Sequence, residues 1–228
     1  MRVKSSLIGE GSGSIGSTTW SHNAGGMYIR NRSMPTNPNT DKQQAVRSIV
    51  SQLVDAWANI LTAGQRSGWA IYAANVPLLD VFGDPRFRSG LNHYVRSNVP
   101  LLQAGGTRVD DAPTTFNLGE YTAPAITAVV ATQKASVAFT NTDDWANETG
   151  SYMLVWASRP QQNTINFFKG PYRYCGKIVG ATPTPPTSPV LLDLPFDCAA
   201  GQRVFFKASV VRAHGRLSSP FRGFDDAS

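Results

Sequence analysis

A chain of 228 residues, 41% hydrophobic and 10% aromatic, carries apolar surface enough for two average cores, and 20 Gly and 15 Pro give many turns without the composition of a disordered protein. The formal net charge of +6 arises with only 16% charged residues, so the basic excess reflects scarce acids rather than massed cations, and lysines and arginines spread singly argue against a DNA- or RNA-binding face. No run approaches the roughly twenty apolar residues of a membrane span, and MRVKSSLIGEG lacks a signal-peptide core; the expectation is a soluble protein that is not exported by the usual route.

Residues 1–39 are predicted to form a Gly-rich arm or loose hairpin. Ser14 to Ser21 and Met27 to Asn31 read as β-like pieces on either side of Asn23-Ala24-Gly25-Gly26. The segment has too little apolar surface to fold alone, yet it carries Trp20, Met27, Tyr28 and Ile29 at intervals, as a segment ordered against something else does. Such composition is also that of a floppy tail. Pro35 and Pro38 hold the chain extended before the next element.

Residues 40–112 are predicted to be a helical domain. Thr40 to Gln43 is a capping box, and Val46, Ile49, Val50, Leu53, Trp57, Ile60 and Leu61 recur three and four apart as one buried stripe. Thr62 to Gln65 repeats the box and opens a second helix with Trp69, Tyr72 and Ala73 inside. Gly83-Asp84-Pro85 marks a turn, and Ser89 to Asn98 reads as a third short helix. The turn-rich, acidic stretch from Gln103 to Pro113 is the expected boundary.

From residue 113 to 228 the periodicity becomes alternating. Strands are predicted at Ile126 to Ala131, Ala135 to Thr140, Tyr152 to Ser158, Tyr172 to Val179, Val190 to Leu194 and Arg203 to Ala213, a spacing that points to a β-sandwich.

The stretches KASVAFTNTDDW, SYMLVWASRPQ and PVLLDLPFDCAAGQRVFFKASVVRAHGRLSSP resemble fibronectin type III or immunoglobulin-like domains, over Pro124 to Arg222. The resemblance implies that Trp156 faces the core and that a last strand ends at Ser219-Pro220; the usual tyrosine of the penultimate strand is absent, with Phe205 and Phe206 nearby. The first ninety residues more faintly resemble uncharacterised proteins of bacteriophages and phage-like genome regions. Gly13-Ser14-Ile15-Gly16, Tyr28-Ile29-Arg30 and Asn37-Pro38-Asn39-Thr40 through Arg47 carry that likeness, which implies a virion or phage-like particle and no chemistry. The expected fold is α+β: an N-terminal extended arm and small helical domain followed by an all-β immunoglobulin-like sandwich.

Reactive constellations are sparse. His22, His93 and His214 have no acid or Cys at metal-ligand spacing, and Cys175 and Cys198 read as free thiols, although a disulfide is open if their strands are neighbours. The G-x-G-x-x-G spacing at Gly11 to Gly16 arises from low complexity, without a strand before it or a helix after. Asp110-Asp111, Asp143-Asp144 and Asp225-Asp226 lie in predicted turns or at the tail, where adjacent acids cap backbone or stay solvated.

These features lead to an expectation of a non-enzymatic structural protein of a phage or phage-like particle, without cofactor. It would be capsid-associated or decorating, or else a tail or head-to-tail component. Its partners would be other virion proteins and its own copies, and its location the virion, assembled in the bacterial cytoplasm. The contact candidates are Trp20, Tyr28, Arg30 and Arg32 in the arm, and Phe167, Phe168, Tyr172 and Tyr174 around the Lys169-Gly170-Pro171 turn, where core strands running into a long hairpin would also account for the rings. The rival expectation is an adhesin or carbohydrate-binding module that uses the sandwich loops to hold a glycan.

Overall fold

The computed structural model describes residues 13–23, 26–33, 36–37, 39–80 and 82–228. The expectations placed on the N-terminal MRVKSSLIGEG, on Gly25 and on Pro35 and Pro38 lie outside the described residues. The chain forms two compact units, Met1–Gln43 and Gln44–Ser228.

In the first unit, β1 (Gly13–Ile15), β2 (Thr18–Asn23) and β3 (Gly26–Asn31) make an antiparallel sheet in the order β1-β2-β3. The stretch predicted as one piece from Ser14 to Ser21 is two strands, because Gly16, at φ +58°, lets β1 fold back on β2. None of this unit's described residues is buried.

Helices follow the arm sheet in the chain. The Thr40 N–H donates to the Gln43 side chain at the head of α1 (Asp41–Asn59), and Thr62 forms both halves of a capping box at the head of α2 (Ala63–Asn75). A two-strand ribbon, β4 (Leu78–Leu79) with β5 (Pro85–Arg86), leads to α3 (Gly90–Gln103). Leu53, Ala56, Leu61, Trp69, Tyr72, Val76 and Tyr94 form the helical core, and the Trp69 ring meets Tyr72 and Tyr94 edge-on at 5.9 and 5.6 Å. The α1 stripe is only partly covered: Leu53 and Leu61 are buried, whereas Val46 and Ile60 are exposed. Helix α3 runs beyond the predicted Asn98 with Pro100 inside it, since burial of Leu101 and Ala104 offsets the backbone bond that proline removes. At Gly90, a Cβ would lie 2.8 Å from the Ala70 nitrogen, so only glycine permits this approach to α2.

Seven strands follow: β6 (Ala125–Val129), β7 (Lys134–Ala138), β8 (Tyr152–Ala157), β9 (Arg173–Val179), β10 (Val190–Asp193), β11 (Arg203–Val211) and β12 (Phe221–Asp226). They pair antiparallel in two sheets, β10-β7-β6 and β12-β11-β8-β9. One cluster draws on both sheets, including Ala128, Val137, Met153, Val155, Phe206 and Val210, with Trp145 against Phe139 at 5.2 Å.

Two expectations for this region are corrected. Trp156 does not face the core: Met153, Val155 and Ala157 take the inward positions of β8, strand alternation sends Trp156 to the opposite face, and Trp145 is the core tryptophan. The last strand starts after Ser219-Pro220 rather than ending there. Residues 212–216 close a turn in which the Arg212 N–H donates to the Arg216 carbonyl, and the FRGFDD segment then pairs with β11.

The outer face of the four-stranded sheet is covered at one end by α3, where Leu101 and Ala104 pack with Leu154 and Val211. Arg96 donates to the Leu217 and Ser218 carbonyls at 3.1 and 3.2 Å, and the Lys177 ammonium donates to the Ala104 carbonyl. The stretch from 103 to 113 runs along this seam, with the Val109 N–H donating to Asn98 Oδ1 and Asp110 accepting from Arg108 and Tyr94. Among the described residues no helix is long and apolar enough to cross a membrane.

Candidate functional site

Two surfaces hold the contact candidates, one in each unit. In the arm, Trp20 lies opposite Ile29 and Gly13, while Tyr28 lies opposite Ser21 and Arg30 opposite Thr19. Side chains paired across an antiparallel ladder share a face, so Trp20 sits with Ile15, Met27 and Ile29 on one face, and Tyr28 and Arg30 sit with Ser14, Thr19 and Ser21 on the other. Ile15 is 78% exposed, and the Ser14 and Thr19 hydroxyls hydrogen-bond at 2.9 Å. Arg32 follows β3 directly, its N–H donating to the Ser17 carbonyl at 2.6 Å. The sheet therefore has an apolar side and a hydroxyl-rich, basic side, and no acid lies between Glu10 and Asp41 in the sequence.

The second surface is the end of the β12-β11-β8-β9 outer face that α3 leaves open. Register places Arg222, Lys207, Trp156 and Tyr174 in one row across all four strands. A bulge between Val155 and Trp156 sets the extra residue Cys175 against the core and leaves Tyr174 outward, 6.0 Å from the Trp156 ring. The neighbouring row holds Phe224 and Phe205, 5.8 Å apart, and Phe168 stacks on Phe205 at 5.4 Å and 19°. Tyr172 meets Phe168 edge-on and donates its hydroxyl to the Phe168 carbonyl. Phe168, Tyr172 and Tyr174 thus come together on this face; Phe167, 77% exposed, makes no ring contact with them.

Cations cap the rings. The Lys207 ammonium lies 4.8 Å from the Trp156 ring centre and the Arg203 guanidinium 4.2 Å from that of Phe224. Arg203 is neutralised by a two-pronged pair with Asp226 at 2.7 and 2.8 Å, which holds the Asp226 carboxyl below its ordinary range. Lys207 has no carboxylate partner among the described residues; burial, and then the neighbouring Arg222, lower its pKa. Burial raises the Tyr172 and Tyr174 hydroxyls.

The paired acids are divided among different structural partners. Asp110 holds Arg108, Asp111 accepts from Gln65, Asp143 caps Thr122, Asp144 pairs with Arg212, and Asp225 accepts from the Ala128 N–H at 2.8 Å. His214 is hydrogen-bonded to Arg216, and His93 is fully buried against Tyr72 with both ring nitrogens outside hydrogen-bond geometry. Cys175 and Cys198 are unbonded, with burial pushing the Cys175 thiol up to about 12. Among the described residues no group of three or more His, Cys, Asp or Glu is placed to hold a metal ion.

No protein-family model, curated protein or solved structure matches the chain. Trp156, Phe205, Lys207, Arg222 and Phe224 belong to the sheet surface although the sequence reading named none of them as contacts. The signal was Lys207 itself, a charge interrupting the apolar run VFFKASVV and marking one parity of β11 as outward.

Proposed function

We propose that this chain is a non-enzymatic structural subunit of a bacteriophage or phage-like particle, anchored by its N-terminal arm. A capsid-associated or decorating position is the first choice and a tail or head-to-tail position the second. The observation that carries the reading is the arm sheet: three paired strands, an apolar side with Trp20 and Ile29, and no buried residue of its own. A sheet this small gains independent stability only when an apolar face is covered. The likeness of the first ninety residues to phage proteins supplies the particle. The non-enzymatic reading is supported by the engagement of the paired acids with separate backbone and cationic partners.

Within this reading the strands β6 to β12 form an immunoglobulin-like sandwich. Support comes from the division into three and four antiparallel strands around one core, and from Tyr121, whose hydroxyl donates to the Ala208 carbonyl and accepts from the Phe221 N–H across the last two strands. Mass spectrometry of purified particles, with copy number, tests the role: a stoichiometric count supports it, and absence from particles refutes it. Deleting residues 1–32 should abolish incorporation. The aromatic outer face favours one second reading, an adhesin or carbohydrate-binding module, which glycan-array binding by the full chain would support.

A further inference from the structure

The open outer face of the four-stranded sheet carries an electrostatic imbalance. Lys207 and Arg222 stand directly opposite one another on β11 and β12, an arrangement that repels, and neither has a carboxylate partner among the described residues. Arg173, at the start of β9, likewise has none. On the same face, one row beyond Phe205 and Phe224, the Asp226 carboxylate is taken by Arg203. Beside these cations on the same face lie Tyr174, 39% exposed, and Phe224, 51% exposed.

Three of the rings are each covered on one face. Lys207 covers Trp156, Arg203 covers Phe224, and Phe168 covers Phe205. A sugar stacks on a bare ring, whereas this surface offers ammonium and guanidinium groups held above rings, with apolar edges between them. Extended polyanions need tracks of charge, yet residues 113–228 hold ten Lys and Arg against eight Asp and Glu, an excess too small to form one. The arm, with no acid between Glu10 and Asp41, is no match for this face.

We infer that this face is a docking surface for an acidic polypeptide segment, whose carboxylates pair with Lys207 and Arg222 while its apolar side chains cover Tyr174 and Phe224. The bound carboxylates remove the repulsion between the two cations and complete the row across β12, β11 and β8. The inference does not depend on the particle reading, since the face and the arm belong to different units.

The test uses the full-length protein and a labelled peptide of alternating Glu and Tyr, read by fluorescence anisotropy. The same peptide with Gln for Glu, a heparin fragment and a single-stranded oligonucleotide of matched charge serve as comparators. The Glu peptide should bind most tightly, and the double variant Lys207→Gln/Arg222→Gln should weaken it by at least about tenfold. The thermal midpoint of that variant should equal or exceed the parent's, because a like-charge pair has been relieved. Equal binding of the Glu and Gln peptides, no binding, tighter binding of heparin or oligonucleotide, unchanged affinity in the double variant, or a fall in its midpoint would each overturn the inference.

Discussion

The arm sheet β1–β3 and the sheet β12-β11-β8-β9 are built by the same antiparallel pairing, yet they differ in what lies against them. The four-stranded sheet puts Met153, Val155, Phe206 and Val210 into a core shared with β6, β7 and β10, and one end of its outer face under α3. The arm sheet has Trp20, Met27 and Ile29 on one side and buries none of them. Ladder hydrogen bonds replace bonds to water and contribute little net stability; covered apolar area decides which sheet stands alone. One sheet is thus a scaffold, and the other, in the role proposed for it, is a contact element that would draw its stability from a partner.

Substitutions on the two sheets should therefore differ in size. Phe206→Ala, on the inner face of β11, should cost about 3–5 kcal/mol in chemical denaturation. A loss below about 1 kcal/mol would mean that the shared core does not hold the sheets together. Gly180→Ala should cost about 3 kcal/mol or more by the same measurement, because its Cβ would sit 2.1 Å from the Trp145 carbonyl oxygen and 2.2 Å from Ser151 Oγ. In the free protein, Trp20→Ala on the arm should be far milder than either.

A titration separates the helical part from both sheets. Burial, and then the positive Arg96 and Arg88, lower the His93 pKa to about 4, while the nearby Val76 backbone pulls weakly the other way. The unfolded chain takes up this proton near pH 6.5, so folding stability is full above about pH 6.5 and falls as pH drops toward about 4. The loss should be about 3 kcal/mol in denaturation curves, and His93→Leu should flatten it. An unchanged slope in that variant would show that carboxylates, not His93, set the acid sensitivity. Smallest of all, Trp20→Ala should shift the stability of the free protein by less than about 0.5 kcal/mol while blocking incorporation into particles. A larger shift would show that the arm is part of the folded core.

Local chemistry made much of this legible from residues alone. Thr62 and Gln65 announce α2, the inward set Trp69, Tyr72 and Ala73 is buried as its spacing implies, and seven strands follow the change to alternation. Long-range choices were less visible. In SYMLVWA both parities are apolar, because Tyr152 and Leu154 pack under α3 and Trp156 lies under Lys207, so alternation could not say which face was inward. Pro220 and Gly223 disguise β12, which hid Arg222 and Phe224 and with them half of the basic row. In the arm, Gly16 reads as flexibility by composition and acts as a turn only through its positive φ.

Hydrogen–deuterium exchange on the free, full-length protein tests the central claim most directly. The account predicts that amides of β2 and β3 exchange orders of magnitude faster than those of β8 and β11 despite equivalent pairing, and that they become protected in assembled particles. Equal protection of the two sheets in the free protein would contradict it.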